Sequence, residues 1–234
     1  MTNLNYLITG CGRSGTGFLA GLVNSSGKKC GHEEIFDVYG INTHSEVVYE
    51  SSWYAVPHLH CLNPTVKILH IVRNPIDVIN SFYRIGLVAN SKIYHITGGR
   101  RLRYFLKNAV TPVSVLDRFA FVTAHREFLL RSSNIFDFET EFKRLECYWR
   151  EWNTKISKFG SSRSHHYLCV RLEDYSERKS EIFDFLELNQ IEYKNKPRNI
   201  KPFYKERKLM IEKFEPQTIC LMEKYGYSQY RSFS

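Results

Sequence analysis

A run of glycines and hydroxyl residues near the N-terminus holds the clearest chemistry of this sequence. Residues 10–17 read Gly-Cys-Gly-Arg-Ser-Gly-Thr-Gly, and this segment is called the glycine loop below. Glycine lets a backbone curl around a small ligand without Cβ clashes. An arginine guanidinium presents a rigid fork of N–H donors that suits a tetrahedral oxyanion. The run therefore predicts a loop that binds a phosphate or a sulfate.

The segments on either side of the glycine loop support this prediction. Residues 5–9 are apolar and partly β-branched, which predicts a short buried strand, and residues 18–23 predict the first turns of a helix. A strand, a glycine loop and a helix together aim backbone N–H groups and a helix N-terminus at an anion. A glycine-rich turn without any function is the alternative.

The glycine loop differs from the loop of nucleotide triphosphatases. That loop reads Gly-x-x-x-x-Gly-Lys-Ser/Thr, and its lysine reaches the β- and γ-phosphates. Here the cation is Arg13, which precedes Ser14, Gly15 and Thr16, and no lysine follows. No acid-rich strand end offers an obvious Mg²⁺ site either. The pattern therefore disfavours an NTPase.

A second candidate follows the strongest predicted strand, residues 66–72. Pro75 suits the first position of a helix that continues to residue 85, with Asn74 as its N-cap. Ser81 lies eight residues after Arg73, about two helical turns into this helix, so both side chains can face one anion. A strand-end arginine that caps carbonyls, with a solvent-facing serine, fits the spacing equally well.

Strands and helices alternate along the chain, which predicts an α/β fold with a central, mostly parallel sheet and helices on both faces. Further strands are predicted at 47–50 and 166–171. One further helix is predicted to begin at the serine pair 51–52, and four others span 113–131, 139–159, 176–188 (capped by Ser176) and 209–225. Ligands of such sheets bind at the carboxyl ends of the strands. We therefore expect the segments after three strand ends to converge: residues 10–16, 73–81 and 171–174.

Composition fits one domain over residues 1–234. Hydrophobic residues make up 43%, and 33 basic against 24 acidic residues give a formal charge of +9. This excess suits an anionic ligand, although a solvated basic surface is equally compatible. The six cysteines show no metal-site spacing, so free thiols in a reducing compartment are expected. No leader and no 18-residue apolar span is visible, which predicts a cytoplasmic protein without an integral membrane segment.

Two motifs resemble those of the sulfotransferase family. The order Gly-x-x-Arg-Ser-Gly-Thr at residues 10–16 resembles the family's 5′-phosphosulfate loop. The order Arg-Asn-Pro-x-Asp-x-x-x-Ser at residues 73–81 resembles its 3′-phosphate motif, spacing included. The resemblance covers about residues 5–85 together with 171–174. Arginine at position 13 is typical of the carbohydrate and tyrosylprotein branches, because cytosolic members carry lysine there.

The resemblance implies a P-loop-containing three-layer sandwich and the donor 3′-phosphoadenosine 5′-phosphosulfate, with adenosine 3′,5′-bisphosphate as product and no metal requirement. It places the 3′-phosphate on Arg73 and Ser81, and adenine against Phe18. The residues it assigns to the 5′-phosphosulfate are Gly12, Arg13, Ser14, Gly15, Thr16 and Gly17.

The general base is sought among three neighbours. Tyrosylprotein members use a glutamate soon after the first helix, and residues 30–34, Cys-Gly-His-Glu-Glu, resemble their Cys-Gly-Glu-Glu with one residue more. We favour Glu33 as the base and Arg13 as the catalytic cation, and leave Glu34 and His32 open. Acids that only cap a helix or solvate a loop are the alternative. The residues permit direct in-line displacement at sulfur.

The acceptor is predicted to be a hydroxyl of unknown class: carbohydrate, lipid, peptide or metabolite. Ser52 and Trp53 are expected to line its pocket, and residues 86–165 form a helical insertion on the acceptor side. Late basic residues that match the family's 3′-phosphate loop by position only are Lys201, Lys205 and Arg207. The alternative functions are a P-loop kinase or NTPase-like phosphotransferase and a non-enzymatic anion-binding module. No nucleic-acid-reading motif is visible, and the oligomeric state is open.

Overall fold

The computed structural model describes residues 3–88, 112–193 and 213–227. A five-stranded sheet lies at its centre, in the order β2-β3-β1-β4-β5, and every neighbouring pair is parallel. The strands are β1 Tyr6–Gly10, β2 Cys30–His32, β3 Tyr49–Ser51, β4 Lys67–Val72 and β5 Tyr167–Arg171.

Six α-helices connect and cover the described strands. They are α1 Thr16–Ser25, α2 Pro75–Ile85, α3 Pro112–Ser132, α4 Glu141–Ser161, α5 Lys179–Phe185 and α6 Pro216–Lys224. Short 3₁₀ turns occupy Val56–Cys61, Ile135–Asp137, Ser164–His166 and Leu172–Asp174. Among the described residues, no helix combines the length and the apolar character needed to cross a membrane.

Side chains of β1 alternate between two separate cores, because successive residues of a strand point to opposite faces. Ile8 belongs to a core with residues of α1 and α5, such as Leu22 and Phe183. Leu7 belongs to a second core with residues of α2 and α4, such as Phe82 and Trp152. Helices therefore cover both faces of the sheet, and the predicted α/β sandwich is confirmed.

Helix α4 ties the second core to the ends of the strands. The indole N–H of Trp149 donates to the Arg73 carbonyl at 2.9 Å, and that of Trp152 donates to the Trp53 carbonyl at 3.0 Å. Both tryptophans are fully buried. Two backbone segments that follow strands are thus held by one rigid helix.

Two predicted helix starts are wrong, and a third falls on residues that the structure does not describe. Ser51 ends β3 instead of capping a helix. The next residue still follows the sheet, because the Ser52 N–H donates to the Ile8 carbonyl of β1 at 3.0 Å. Helix α5 begins at Lys179 after the 3₁₀ turn that follows β5, so Ser176 is not its cap. Helix α6 begins at Pro216, which suits the first helical turn, while Glu215 before it is extended. Residues 209–212 lie outside the described part of the chain.

The sequence also missed strand β2. With three residues it is too short to show a period, and pairing with β3 makes it a strand.

The predicted start of α2 is confirmed in detail. Pro75 occupies the first turn, and the Asn74 side chain accepts a hydrogen bond from Ile76 N–H at 2.9 Å. We expect Asn74→Ala to lower the free energy of unfolding by about 1 kcal/mol, because the Ile76 N–H at the start of α2 loses its acceptor. Urea unfolding measures the change. The exposed Asn189→Ala is the control, and equal stability of both variants would contradict the capping role.

Candidate functional site

The glycine loop takes two left-handed backbone positions. Arg13 has φ +72° and Gly15 has φ +100°. Left-handed φ is rare for a residue with a Cβ, so Arg13 is held there by its surroundings. At Gly15 a Cβ would lie 2.8 Å from a methyl of Leu172, so glycine also provides space. The loop closes with a hydrogen bond from Ser14 N–H to the Cys11 carbonyl at 3.0 Å.

The loop ends at the N-terminus of α1, where hydrogen-bond donors collect. The N-cap Gly15 brings no side-chain cap, and the first turn contains no acidic residue. The first N–H groups of a helix lack intrahelical partners and carry partial positive charge. Beside them, the Ser14 Oγ is fully buried and has no hydrogen-bond partner within the described residues. This end of α1 therefore suits a small anion.

The second motif meets the glycine loop directly. Arg13 Nε donates to Ser81 Oγ at 2.8 Å, and Arg73 Nη1 donates to the Arg13 carbonyl at 3.0 Å. Arg73 also pairs with Asp77 at 3.5 Å. Parallel pairing of β1 with β4 brings the two segments to the same edge of the sheet. The structure thus brings Arg13, Arg73 and Ser81 together, and their contacts with a ligand stay predictions.

The third predicted segment, after β5, joins the others through the backbone. Glu173 accepts hydrogen bonds from Asn74 N–H at 3.0 Å and from the Tyr227 hydroxyl at 2.8 Å. Arg171 forms a bidentate pair with Asp174, both contacts at 2.6 Å. These acids and this arginine are engaged within the protein, so the segment braces the start of α2.

Glu33 follows β2 at the same edge of the sheet. Its backbone is left-handed, with φ +61°, and its N–H donates to the Ser51 carbonyl at 3.1 Å. Burial raises the pKa of Glu33 to about 7, the charge of Asp37 adds to this, and a hydrogen bond with the Trp53 side chain opposes it. A carboxyl with this pKa is matched to proton transfer near neutral pH.

The two neighbours of Glu33 are placed differently. Glu34 is exposed, and its Oε1 accepts from the Ser45 hydroxyl at 2.8 Å. His32 is also exposed, and its ring lies over the first turn of α1, with Nε2 3.1 Å from where a Cβ on Gly17 would be. Of these three neighbours, Glu33 is half-buried, whereas His32 and Glu34 are exposed.

Tyr148 on α4 is a site residue that the sequence did not reveal. Its hydroxyl oxygen accepts the Gly12 N–H at 2.7 Å, beneath the glycine loop. Burial raises the pKa of Tyr148 well above its usual value, with a further contribution from the charge of Glu33. Trp53 also faces Gly12, since a Cβ there would lie 3.3 Å from its ring. Tyr148 and Trp53 thus connect the loop with Glu33. Aromatic residues on a helix are typical of any core, so no local signal could single out Tyr148.

The remaining predicted residues have these positions. Ser52 is fully buried, donates to the Phe36 carbonyl at 2.7 Å and accepts from Tyr54 N–H at 3.0 Å. Trp53 is 6% exposed, within the aromatic core. Phe18 packs edge-on against Tyr175, with ring centres 4.8 Å apart. Lys201, Lys205 and Arg207 lie outside the described residues, as does part of the predicted insertion 86–165.

The fold and this edge define an α/β protein with a strained glycine loop, two converging arginines and a half-buried glutamate. No protein-family model matches the sequence. No curated protein matches it either. Among solved structures, the sulfotransferase domain from the curacin biosynthetic pathway is similar, with a TM-score of 0.47 and 15% sequence identity; the match covers 92% of this chain and 76% of that one. A likeness of this degree assigns neither family nor function to this chain.

Removing the Tyr148 hydroxyl tests its contact with the loop. We expect Tyr148→Phe to lower the free energy of unfolding by about 1–3 kcal/mol, because the buried Gly12 N–H loses its acceptor. Guanidinium unfolding measures the change. Tyr39→Phe, at a side chain that is 80% exposed, is the matched control. A Tyr148→Phe protein as stable as this control would exclude the hydrogen bond.

Proposed function

We propose that this protein is a sulfotransferase that moves a sulfuryl group from 3′-phosphoadenosine 5′-phosphosulfate to an acceptor hydroxyl. The observation that supports this most is the meeting of the two motifs, through the contacts of Arg13 with Ser81 and of Arg73 with the Arg13 carbonyl. This donor carries anionic groups at both the 3′ and the 5′ position of its ribose, and cations that follow two separate strands suit these two groups. The parallel sheet places both at one edge.

The donor fits the residues that the glycine loop offers. The buried Ser14 hydroxyl, which has no hydrogen-bond partner among the described residues, and the start of α1, which has no side-chain cap, are donors for the 5′-phosphosulfate. Thr16 and Gly17 contribute the N–H groups of the first turn, and Arg13 contributes a guanidinium. Arg73 and Ser81 serve the 3′-phosphate. Phosphoryl and sulfuryl transfer share this need for fixed positive charge around an anionic group.

Glu33 acts as the general base. The bound donor supplies an electrophilic sulfur and a nucleoside bisphosphate leaving group. Glu33 removes the proton of the acceptor hydroxyl as its oxygen attacks, which a carboxylate with a pKa of about 7 does well near neutral pH. Arg13 and the N–H groups of α1 stabilise the negative charge that moves toward the leaving oxygen. The Trp53 side chain favours the ionised form of Glu33, since it lowers the pKa of this carboxyl.

Two other functions predict different ligands. A kinase or NTPase needs a lysine for the β- and γ-phosphates, and the glycine loop has only Arg13 before its serine. A non-enzymatic anion-binding module would bind generic nucleic acid with a steep salt dependence. The half-buried Glu33 favours an enzyme, because a module that only binds anions gains nothing from a carboxyl beside its loop.

Nucleotide binding separates these functions. Calorimetric titration is expected to show binding of adenosine 3′,5′-bisphosphate and none of ATP with Mg²⁺. Ser81→Ala should weaken bisphosphate binding about tenfold, because a charge-assisted hydrogen bond is lost. Ser162→Ala, at an exposed position directly after α4, is the matched control. Preferential binding of ATP with Mg²⁺ would contradict the proposal.

The base is tested by turnover of labelled donor across acceptor classes. Glu33→Gln should lower the transfer rate by about 100-fold or more while bisphosphate affinity stays the same. Since only the ionised carboxyl accepts a proton, the wild-type kcat/KM should rise with pH and level off above a pKa of about 7. Glu34→Gln is the control and should keep the rate. A wild-type rate in Glu33→Gln would move the role of base to another residue.

A further inference from the structure

A second carboxylate, Glu50, lies behind Glu33 and is fully buried. Glu50 is in the centre of β3, between β1 and β2. Its Oε2 has no hydrogen-bond partner within the described residues. Burying a carboxylate is costly unless its other contacts compensate, so a glutamate inside a strand requires a reason.

The hydrogen bond of the Glu50 side chain goes to the turn that carries Glu33, residues 33–36, which we name the Glu33 turn. Glu50 Oε1 accepts the Glu34 N–H at 2.9 Å. Burial raises the pKa of Glu50 to about 7, and the nearby backbone N–H groups of Glu34, Ile35 and Phe36 partly oppose this rise. One N–H group of this turn thus donates to the Glu50 carboxyl and the next two lie close enough to affect its pKa, an arrangement similar to the backbone turns that hold anions. Here the anion belongs to the protein itself.

Gly31 on the neighbouring strand makes room for this carboxylate. Gly31 pairs with Glu50 in the register of β2 and β3. A Cβ at position 31 would lie 2.2 Å from Glu50 Oε2, far inside van der Waals contact. Glycine at this position therefore allows the carboxylate to reach the Glu33 turn.

We propose that Glu50 is a positioning residue: its buried carboxylate holds the Glu33 turn, and so keeps the strained Glu33 backbone aimed at Trp53 and the glycine loop. Left-handed φ at a non-glycine residue persists only where contacts over-determine it. The Glu33 N–H bond to Ser51 fixes one side of Glu33, and Glu50 fixes the residues that follow it. The catalytic meaning of this placement rests on the function proposed above.

Kinetics test the proposal through Glu33. Glu50→Gln keeps the shape but replaces the charged acceptor of the Glu33 turn with a neutral amide, and kcat should fall roughly 10-fold to 100-fold while donor KM and bisphosphate affinity stay unchanged. Gly31→Ala should reproduce this, because its methyl displaces the same carboxylate. Glu46→Gln, exposed on the same segment, is the control. Rates are counted per bisphosphate-binding site, so unfolded protein does not enter them.

A double variant distinguishes positioning from general stability. If Glu50 acts through Glu33, then Glu33→Gln with Glu50→Gln should be no slower than Glu33→Gln alone. Independent losses that multiply would overturn the proposal, as would wild-type kcat in both Glu50→Gln and Gly31→Ala.

Tryptophan fluorescence tests the placement without any turnover. The carboxyl of Glu33 hydrogen bonds with Trp53, so wild-type emission should change as the pKa of about 7 is crossed. Asp37, Tyr54 and Tyr148 also affect Glu33 electrostatically, and the ring centre of His125 lies 6.1 Å from that of Trp53. The Glu33→Gln variant isolates the contribution of these other groups.

Glu50→Gln should lose the transition that depends on Glu33, and the Glu46→Gln control should keep it. An unchanged transition in Glu50→Gln would overturn the positioning role, and so would a wild-type emission that does not titrate. Cys30 and Glu34 face Glu50 and are the same in all these variants. Absence of sulfuryl transfer by the wild type would contradict the proposed function alone, because the fluorescence result does not use it.

Discussion

The hydrogen bond from the Arg73 guanidinium to the Arg13 carbonyl, 3.0 Å long, joins the two halves of the candidate site. It connects the residue after β4 with the middle of the glycine loop, 60 positions earlier in the chain. Because it occupies the Arg13 carbonyl, it supports the left-handed backbone of Arg13. The side chain of Arg13 then reaches Ser81 on α2.

The core beneath this edge explains how the strain is tolerated. Helix α4 places Tyr148 under Gly12 and Trp149 under the Arg73 carbonyl, so both strand ends rest on one helix. Buried aromatic residues contribute large apolar areas, and each also provides one polar group at its end. Packing energy and the hydrogen bonds at the loop thus come from the same side chains. The buried Glu50 likewise supports a loop by a hydrogen bond, because it accepts the N–H of Glu34 in the turn of Glu33.

Much of the fold could be predicted because its signals are local. The alternation of strands and helices, the cap of α2 by Asn74 and the parallel sheet follow from periodicity and from the properties of proline and asparagine. The convergence of residues 10–16 with 73–81 followed from a general rule of parallel sheets. Strand β2, the 3₁₀ turn Val56–Cys61 and the late starts of α5 and α6 did not follow, because pairing partners and chain reversals decide them.

Residue types and spacing nominated Arg13, Arg73 and Ser81, because donors and hydroxyls have a chemistry that does not depend on the fold. The resemblance of residues 30–34 to a sulfotransferase motif nominated His32, Glu33 and Glu34. Tertiary structure separated the three neighbours: it buried the carboxyl of Glu33 beside Trp53 and turned that of Glu34 to Ser45. It also introduced Tyr148 and Glu50, whose roles come from contacts with Gly12 and with the turn of Glu33. The pKa of a carboxyl and the partner of a buried hydroxyl depend on which distant segments exclude water around them, and only folding brings those segments together.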